Sequence, residues 1–153
     1  MKKTLLAAGV AIVVGGVAGT ALAQVKPEVL VKQRQAVMTL QGKYFGPIAG
    51  MASGKVTPYN ADVVSRSATY LENLAQMAWD GFHESTKGGK NTNALPEIWS
   101  QKAKFDELSQ RLQTETAKLG EVARAKDEAG VKRQYAAVGK VCGACHESFR
   151  QKL

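Results

Sequence analysis

The chain has 153 residues, of which 44% are hydrophobic and 22% charged, with 15 Gly and 4 Pro. That composition excludes a disordered or collagen-like polypeptide and gives the length of about one domain. Lys and Arg together number 21 against 13 Asp and Glu, a formal net charge of +8.

The first residues read as a secretory signal peptide rather than as part of the fold. Met1-Lys2-Lys3 is a basic start, residues 5–17 are apolar or glycine, and Ala21-Leu22-Ala23 is a small-x-small cleavage signal before Gln24. The alternative, a retained anchor, is disfavoured by Gly9, Gly15, Gly16, Gly19 and Thr20 within the apolar run. Cleavage leaves one domain over residues 24–153, long enough to bury a core without staples, and lowers the net charge to +6. No later segment is apolar enough to insert in a membrane. The short lysine start fits export to a bacterial periplasm, where a basic protein rarely meets nucleic acid. The charge then serves a solvated surface or a docking face for an acidic partner.

Four helical segments follow. The first opens at Pro27-Glu28, a proline at the first turn with an acid that suits the helix dipole. Leu30, Val37, Leu40 and Tyr44 recur at helical spacing beside a stripe of Arg34, Met38 and Gln41, and the pattern fades over residues 50–54. The second begins at the N-cap Asn60, with Asp62 in its first turn, shows Val63, Tyr70, Leu71, Leu74, Met77 and Ala78 on its apolar face, and ends around Gly81. Residues 83–93 are a loop by composition. The third segment opens at Pro96-Glu97 and carries Ile98, Trp99, Phe105, Leu108, Leu112 and Leu119 to near Gly120. The fourth runs from Lys126 to the C-terminus, with the ladder Val131, Tyr135, Val138, Cys142, Cys145 and Phe149. Its steps of 4, 3, 4, 3 and 4 have the seam spacing of a bundled helix. Together these predict an all-α fold, an antiparallel up-down-up-down four-helix bundle.

The chemistry lies in Cys142-Gly143-Ala144-Cys145-His146, a C-x-x-C-H attachment signature for haem c, one per chain. On a helix, positions i, i+3 and i+4 share a face, so both thiols and the imidazole project together. The thiols can form thioethers with the two vinyl groups while the imidazole reaches the iron from the same side. Gly143 and Ala144 are small enough to let a flat macrocycle lie close. A thioredoxin-type dithiol would open a helix beside a strand, and a zinc site would need a fourth ligand. His83, the one other histidine, lies in the polar loop.

With the motif on the last of four helices, the chain resembles the cytochrome c′ family, the class II c-type cytochromes. The matching pieces are Arg34-Gln35, Pro58-Tyr59, Trp79 and Phe82, Pro96-Glu97-Ile98-Trp99, and the haem motif followed by Phe149-Arg150. The resemblance implies a periplasmic haem protein, a haem in the bundle core, His146 as axial iron ligand, and a homodimer built from the first two helices. It implies a one-electron carrier working with redox partner proteins, whose high-spin five-coordinate iron binds NO or CO. The alternatives are a low-spin carrier of the cytochrome c-556 kind, with Met38 as sixth ligand, or a dedicated NO scavenger or sensor. An enzyme is not expected, because no distal His–Arg pair or acid–base pair is legible.

By the same resemblance, Arg34 and Gln35 are candidates for contact with a haem propionate, and Thr92 is a weaker one. Arg150 is a candidate for the proximal pocket beside His146. Their alternatives are a solvated helix turn for the pair, an ordinary loop residue for Thr92, and a cation favoured at a helix C-terminus for Arg150. Met51 and Met77 read as packing residues, Trp79, Phe82 and Trp99 as core or haem-edge aromatics, Glu97 as a helix-start acid, and His83 as exposed.

Overall fold

The structure, a computed structural model, describes residues 25–152. The signal-peptide reading of residues 1–23 lies outside the described residues. Five helices follow in order: α1 (Pro27–Ala52), α2 (Ala61–Met77), α3 (Glu97–Ser100), α4 (Lys102–Arg124) and α5 (Glu128–Phe149). The four long ones pack in the predicted antiparallel bundle, α1 on α2, α2 on α4, α4 on α5, with α5 closing more thinly against α1. Among the described residues no helix is long and apolar enough to cross a membrane.

Local chemistry sets the helix starts. Pro27 stands in the first turn of α1, where its missing N–H costs nothing, and Glu28 follows it. Asn60 Oδ1 accepts from the backbone N–H groups of Asp62 and Val63 at 3.1 and 3.0 Å, capping α2. Asp127 Oδ1 accepts from Gly130 N–H at 2.9 Å and starts α5. Lys126 just before it takes φ +55°, which turns the chain sharply between α4 and α5.

Three boundaries differ from the sequence reading. The α2 helix ends at Met77, and residues Trp79–Phe82 form a 3₁₀ turn. Gly81 marks a close approach there rather than a helix end. A Cβ on it would stand 2.5 Å from Arg34 Cβ and 3.0 Å from the Leu30 carbonyl. The third segment is broken at Gln101 (φ −117°, ψ 44°) into one-turn α3 and long α4. Trp99 Nε1 there donates to the Phe82 carbonyl at 3.2 Å, a contact that local periodicity does not carry. The final helix stops at Phe149. Arg150 is extended and bridges to Ala94, with Leu95 N–H donating to Phe149 O at 3.0 Å and Gln151 N–H to Asn93 O at 2.8 Å.

The main core, where Ile48, Val64, Leu119, Val131 and Val138 are fully buried, fills the end of the bundle near the α1–α2 and α4–α5 turns. A second cluster of Ile98, Phe105 and Phe149 packs at the other end. Some residues read as apolar-face members lie on the surface: Leu40 is 37% exposed, Tyr70 45% and Met77 58%. The packing role expected for Met77 is therefore corrected, whereas Met51 does pack against the main core.

Candidate functional site

Between the two clusters the helices leave a cavity of about 610 Å³. Its size falls in the range of small-molecule sites, about 300–1,000 Å³. One wall is α1, which presents Arg34, Gln35, Met38, Gly42 and Phe45 at helical spacing. The facing wall is the end of α5, with Cys142, Cys145, His146 and Phe149, and Arg150 just beyond it. Phe105, Leu108 and Leu112 of α4 line the cavity, as do Leu71 of α2, Trp79 and Phe82. The aromatics brace one another: Phe105 meets Phe82 at 4.9 Å and Phe149 at 5.3 Å between ring centroids, both edge-on. Trp79 Nε1 donates to Ala75 O at 2.6 Å, so the indole stays satisfied.

The cavity gathers every residue singled out for the site: Cys142, Cys145, His146, Met38, Arg34, Gln35, Thr92 and Arg150. Both thiols are free and partly buried. Burial, and secondarily the neighbouring Cys142, pushes the Cys145 thiol up to about 11, and burial raises Cys142 as well. Protonated thiols of this kind lack the activation that a dithiol redox centre needs. Among the described residues no three His, Cys, Asp or Glu side chains cluster as a metal site. Burial and then the Arg150 charge lower the His146 pKa, so the imidazole stays neutral and keeps a lone pair to offer. Two thiols and a neutral imidazole on one face of a mostly apolar cavity are the donor set that a covalently tethered haem requires.

Arg34 is 3% exposed and engaged within the protein. Its Nη1 donates to Gly81 O at 2.7 Å and Thr86 Oγ1 at 2.9 Å, and its Nη2 to Thr92 Oγ1 at 2.8 Å. The guanidinium carbon also sits 4.7 Å from the Phe82 ring centroid. Gln35 Nε2 donates to Asn91 O at 2.7 Å. Thr92 thus joins Arg34 directly, and both line the cavity beside Gln35. Thr86, wholly buried, gives its own hydroxyl proton to His83 O at 2.7 Å. Sequence reasoning passed over Thr86, since a threonine in a polar loop carries no signal of its own. Gln41, read as part of the α1 stripe, is buried and donates to Leu74 O at 3.0 Å. His83 is exposed, and its Nδ1 faces Ser85 Oγ at 2.9 Å. Glu97 does stand in the first turn of α3, and Trp99 packs against the second cluster.

Comparison with known proteins agrees with this site. A sequence profile for the family described as Cytochrome C' matches residues 29–150. The chain is 35% identical over 127 residues to a cytochrome c′ of Alcaligenes xylosoxydans xylosoxydans, covering 83% of this chain and 97% of that one. It is 30% identical over 146 residues to a cytochrome c-556 of Rhodopseudomonas palustris, covering 92% and 95%. Its fold is similar to the solved structure of a ferrous variant of cytochrome c prime from Alcaligenes xylosoxidans with bound NO. The TM-score is 0.77 at 34% identity, over 84% of this chain and 98% of that one. A four-helix bundle carrying C-x-x-C-H on its last helix, matched by profile and relatives along almost all its described length, is a haem protein of the cytochrome c′ family.

Proposed function

We propose that this chain is a periplasmic one-electron carrier with one covalently held haem c, whose iron keeps one side open to NO or CO. The observation that carries the reading is the convergence of Cys142, Cys145 and His146 on a single apolar cavity. In this reading Cys142 and Cys145 hold the group through thioethers and His146 binds its iron. When bound, haem supplies the Fe(III)/Fe(II) couple and an iron position that a diatomic ligand can take.

The chain's own residues do the rest. The aromatic and aliphatic lining excludes water, which tunes the potential through burial. Arg34, with both Nη atoms already bonded to Gly81, Thr86 and Thr92, brings its positive charge and its remaining N–H groups beside Gln35 and Thr92 at the cavity wall, where a propionate would be received. Arg150 brings a cation to the side of His146. Among the described residues the cavity lining contains no Asp or Glu, and the proposal assigns no catalysed reaction. Gas binding is supported by the NO complex of the Alcaligenes relative. Periplasmic residence is supported by the leader read in residues 1–23.

A second reading rests on Met38, which lines the same cavity from α1, and on the cytochrome c-556 relative. There Met38 is the sixth ligand, the iron is low-spin and the potential higher. Absorption spectra of protein matured in a host competent for haem attachment separate the two. The haem should survive acid-acetone extraction and add one haem to the polypeptide mass, and a mass equal to the polypeptide alone overturns both readings. An open iron gives a broad high-spin ferrous spectrum that changes with CO. Sharp low-spin bands that are lost in Met38→Ala establish methionine ligation instead.

A further inference from the structure

The two walls of the cavity, α1 and the end of α5, are tied together by a segment that belongs to neither. Residues 91–95 lead from the loop after the 3₁₀ turns toward α3. The first two of them are bonded to α1: Gln35 Nε2 donates to Asn91 O at 2.7 Å, and Arg34 Nη2 to Thr92 Oγ1 at 2.8 Å. Asn93 and Leu95 are bonded to the end of α5: Gln151 N–H donates to Asn93 O at 2.8 Å, and Leu95 N–H to Phe149 O at 3.0 Å. Between the two sets, Ala94 N–H donates to Thr92 Oγ1 at 3.2 Å. One hydroxyl thus receives both the guanidinium of α1 and the backbone of the residue that bridges to Arg150. Asn91 takes φ +57°, a left-handed conformation that asparagine tolerates, and the chain turns there before it runs to α5.

Elsewhere α1 and α5 meet only thinly, so these bonds carry much of the connection between the walls. Each end of the segment also fixes a cation at the cavity. Arg34 is held by Thr92 in addition to Gly81 and Thr86. Arg150 stands between the two bonded residues Phe149 and Gln151 and is kept extended, at φ −125° and ψ 133°, where it lines the cavity with His146.

We propose that residues 91–95 are a strap that couples the two walls, with Thr92 a positioning residue for Arg150 as well as for Arg34. The proposal rests on the haem-carrier reading for its consequence at the iron. It goes beyond that reading by assigning how the α1 side and the His146 side of the site are kept in register. Such coupling is reciprocal, so loosening either end loosens the other.

The test is amide hydrogen exchange, read residue by residue, on protein purified from a host competent for haem attachment. Thr92→Val removes the hydroxyl at nearly constant shape. Exchange should become about tenfold faster at Leu95 and Gln151, whose own partners are untouched, while Leu119 in the main core keeps its rate and Thr92→Ser behaves like wild type. Gln151→Pro acts from the other end: it removes one donor and suits the extended backbone of Arg150 before it. It should speed exchange at Ala94, whose acceptor Thr92 Oγ1 is intact. In the holoprotein at low salt Gln151→Pro should also lower the midpoint potential, because a cation fixed near the iron favours the ferrous state. The difference should fade as salt rises, Arg150 being exposed. Gln151 does not line the cavity, so this shift passes through the strap rather than through a direct contact. Wild-type rates at Leu95 and Gln151 in Thr92→Val, or at Ala94 in Gln151→Pro, overturn the proposal. Equal acceleration at Leu119 means general loosening and overturns it too. Faster amides with an unchanged potential overturn the role given to Arg150. Absence of haem bands from every preparation sinks the haem-carrier reading instead, and the exchange rates still decide the strap.

Discussion

Gly81 and Arg34 meet across 47 positions of chain, and this contact governs what the residue scale can tolerate. Alanine at position 81 would bring its Cβ to 2.5 Å from Arg34 Cβ, part of a side chain buried and fixed by three hydrogen bonds. Neither side can yield cheaply, so Gly81→Ala should destabilise by about 1–3 kcal/mol, the usual cost of overpacking. At Gly139 in α5 the new Cβ would rest 3.6 Å from Phe45, an ordinary contact. Gly139→Ala should therefore stabilise by about 0.5–1 kcal/mol, through lost chain entropy in the unfolded state. Urea midpoints of the two variants, with unchanged slope, check both signs. At this scale the reactive residues were legible, because C-x-x-C-H fixes three side chains on one helical face. Thr86 and Gly81 were not, because their roles lie in bonds to Arg34 that reach across the chain, and no local pattern encodes such a contact.

At the scale of elements, the starts were easier to read than the ends. A cap is local chemistry: Asn60 and Asp127 satisfy N–H groups two or three residues ahead, and both kinds of signal lie in the sequence. Replacing Asn60 by Ala leaves two first-turn donors of α2 without that partner, and should cost about 1 kcal/mol in a urea unfolding curve. A variant as stable as wild type would mean that water replaces the cap without loss. The breaks after Met77 and at Gln101 have no such signature. Residues 78 and 101 are an alanine and a glutamine, both good helix formers. What ends the helices there is tertiary. The 3₁₀ turn seats Gly81 against α1, and Trp99 donates to Phe82 across the turn. Arg150 likewise leaves the helix to pair with Ala94, which sets it at the cavity beside His146 rather than one more turn along α5.

At the scale of the whole molecule, the bundle followed from four apolar stripes, but periodicity alone does not say whether a stripe faces the core or another chain. On α1 and α2 the structure leaves part of the apolar stripe exposed. Tyr44 and Tyr70 meet at 4.8 Å between ring centroids, joining the two helices on their outer side. Leu40 lies one turn before Tyr44, and Met77 seven residues beyond Tyr70, all three of Leu40, Tyr70 and Met77 being exposed. An apolar strip of this kind, left open on a chain that otherwise hides its stripes, fits a second copy packed through α1 and α2. A twofold contact uses the strip twice, so one substitution strikes the interface at two places. We expect haem-loaded protein to sediment as a dimer. Tyr70→Glu combined with Met77→Glu should give a monomer, because each copy would then bury carboxylates against apolar surface. The absorption spectrum should not change, since neither residue lines the cavity. A wild-type protein that sediments as a monomer at high concentration would remove the dimer, and a variant that stays dimeric would move the interface off this strip. The exposed lining residues of the cavity lie on α1 and α5, whereas the strip spans α1 and α2, so a dimer built this way would leave the cavity mouth uncovered.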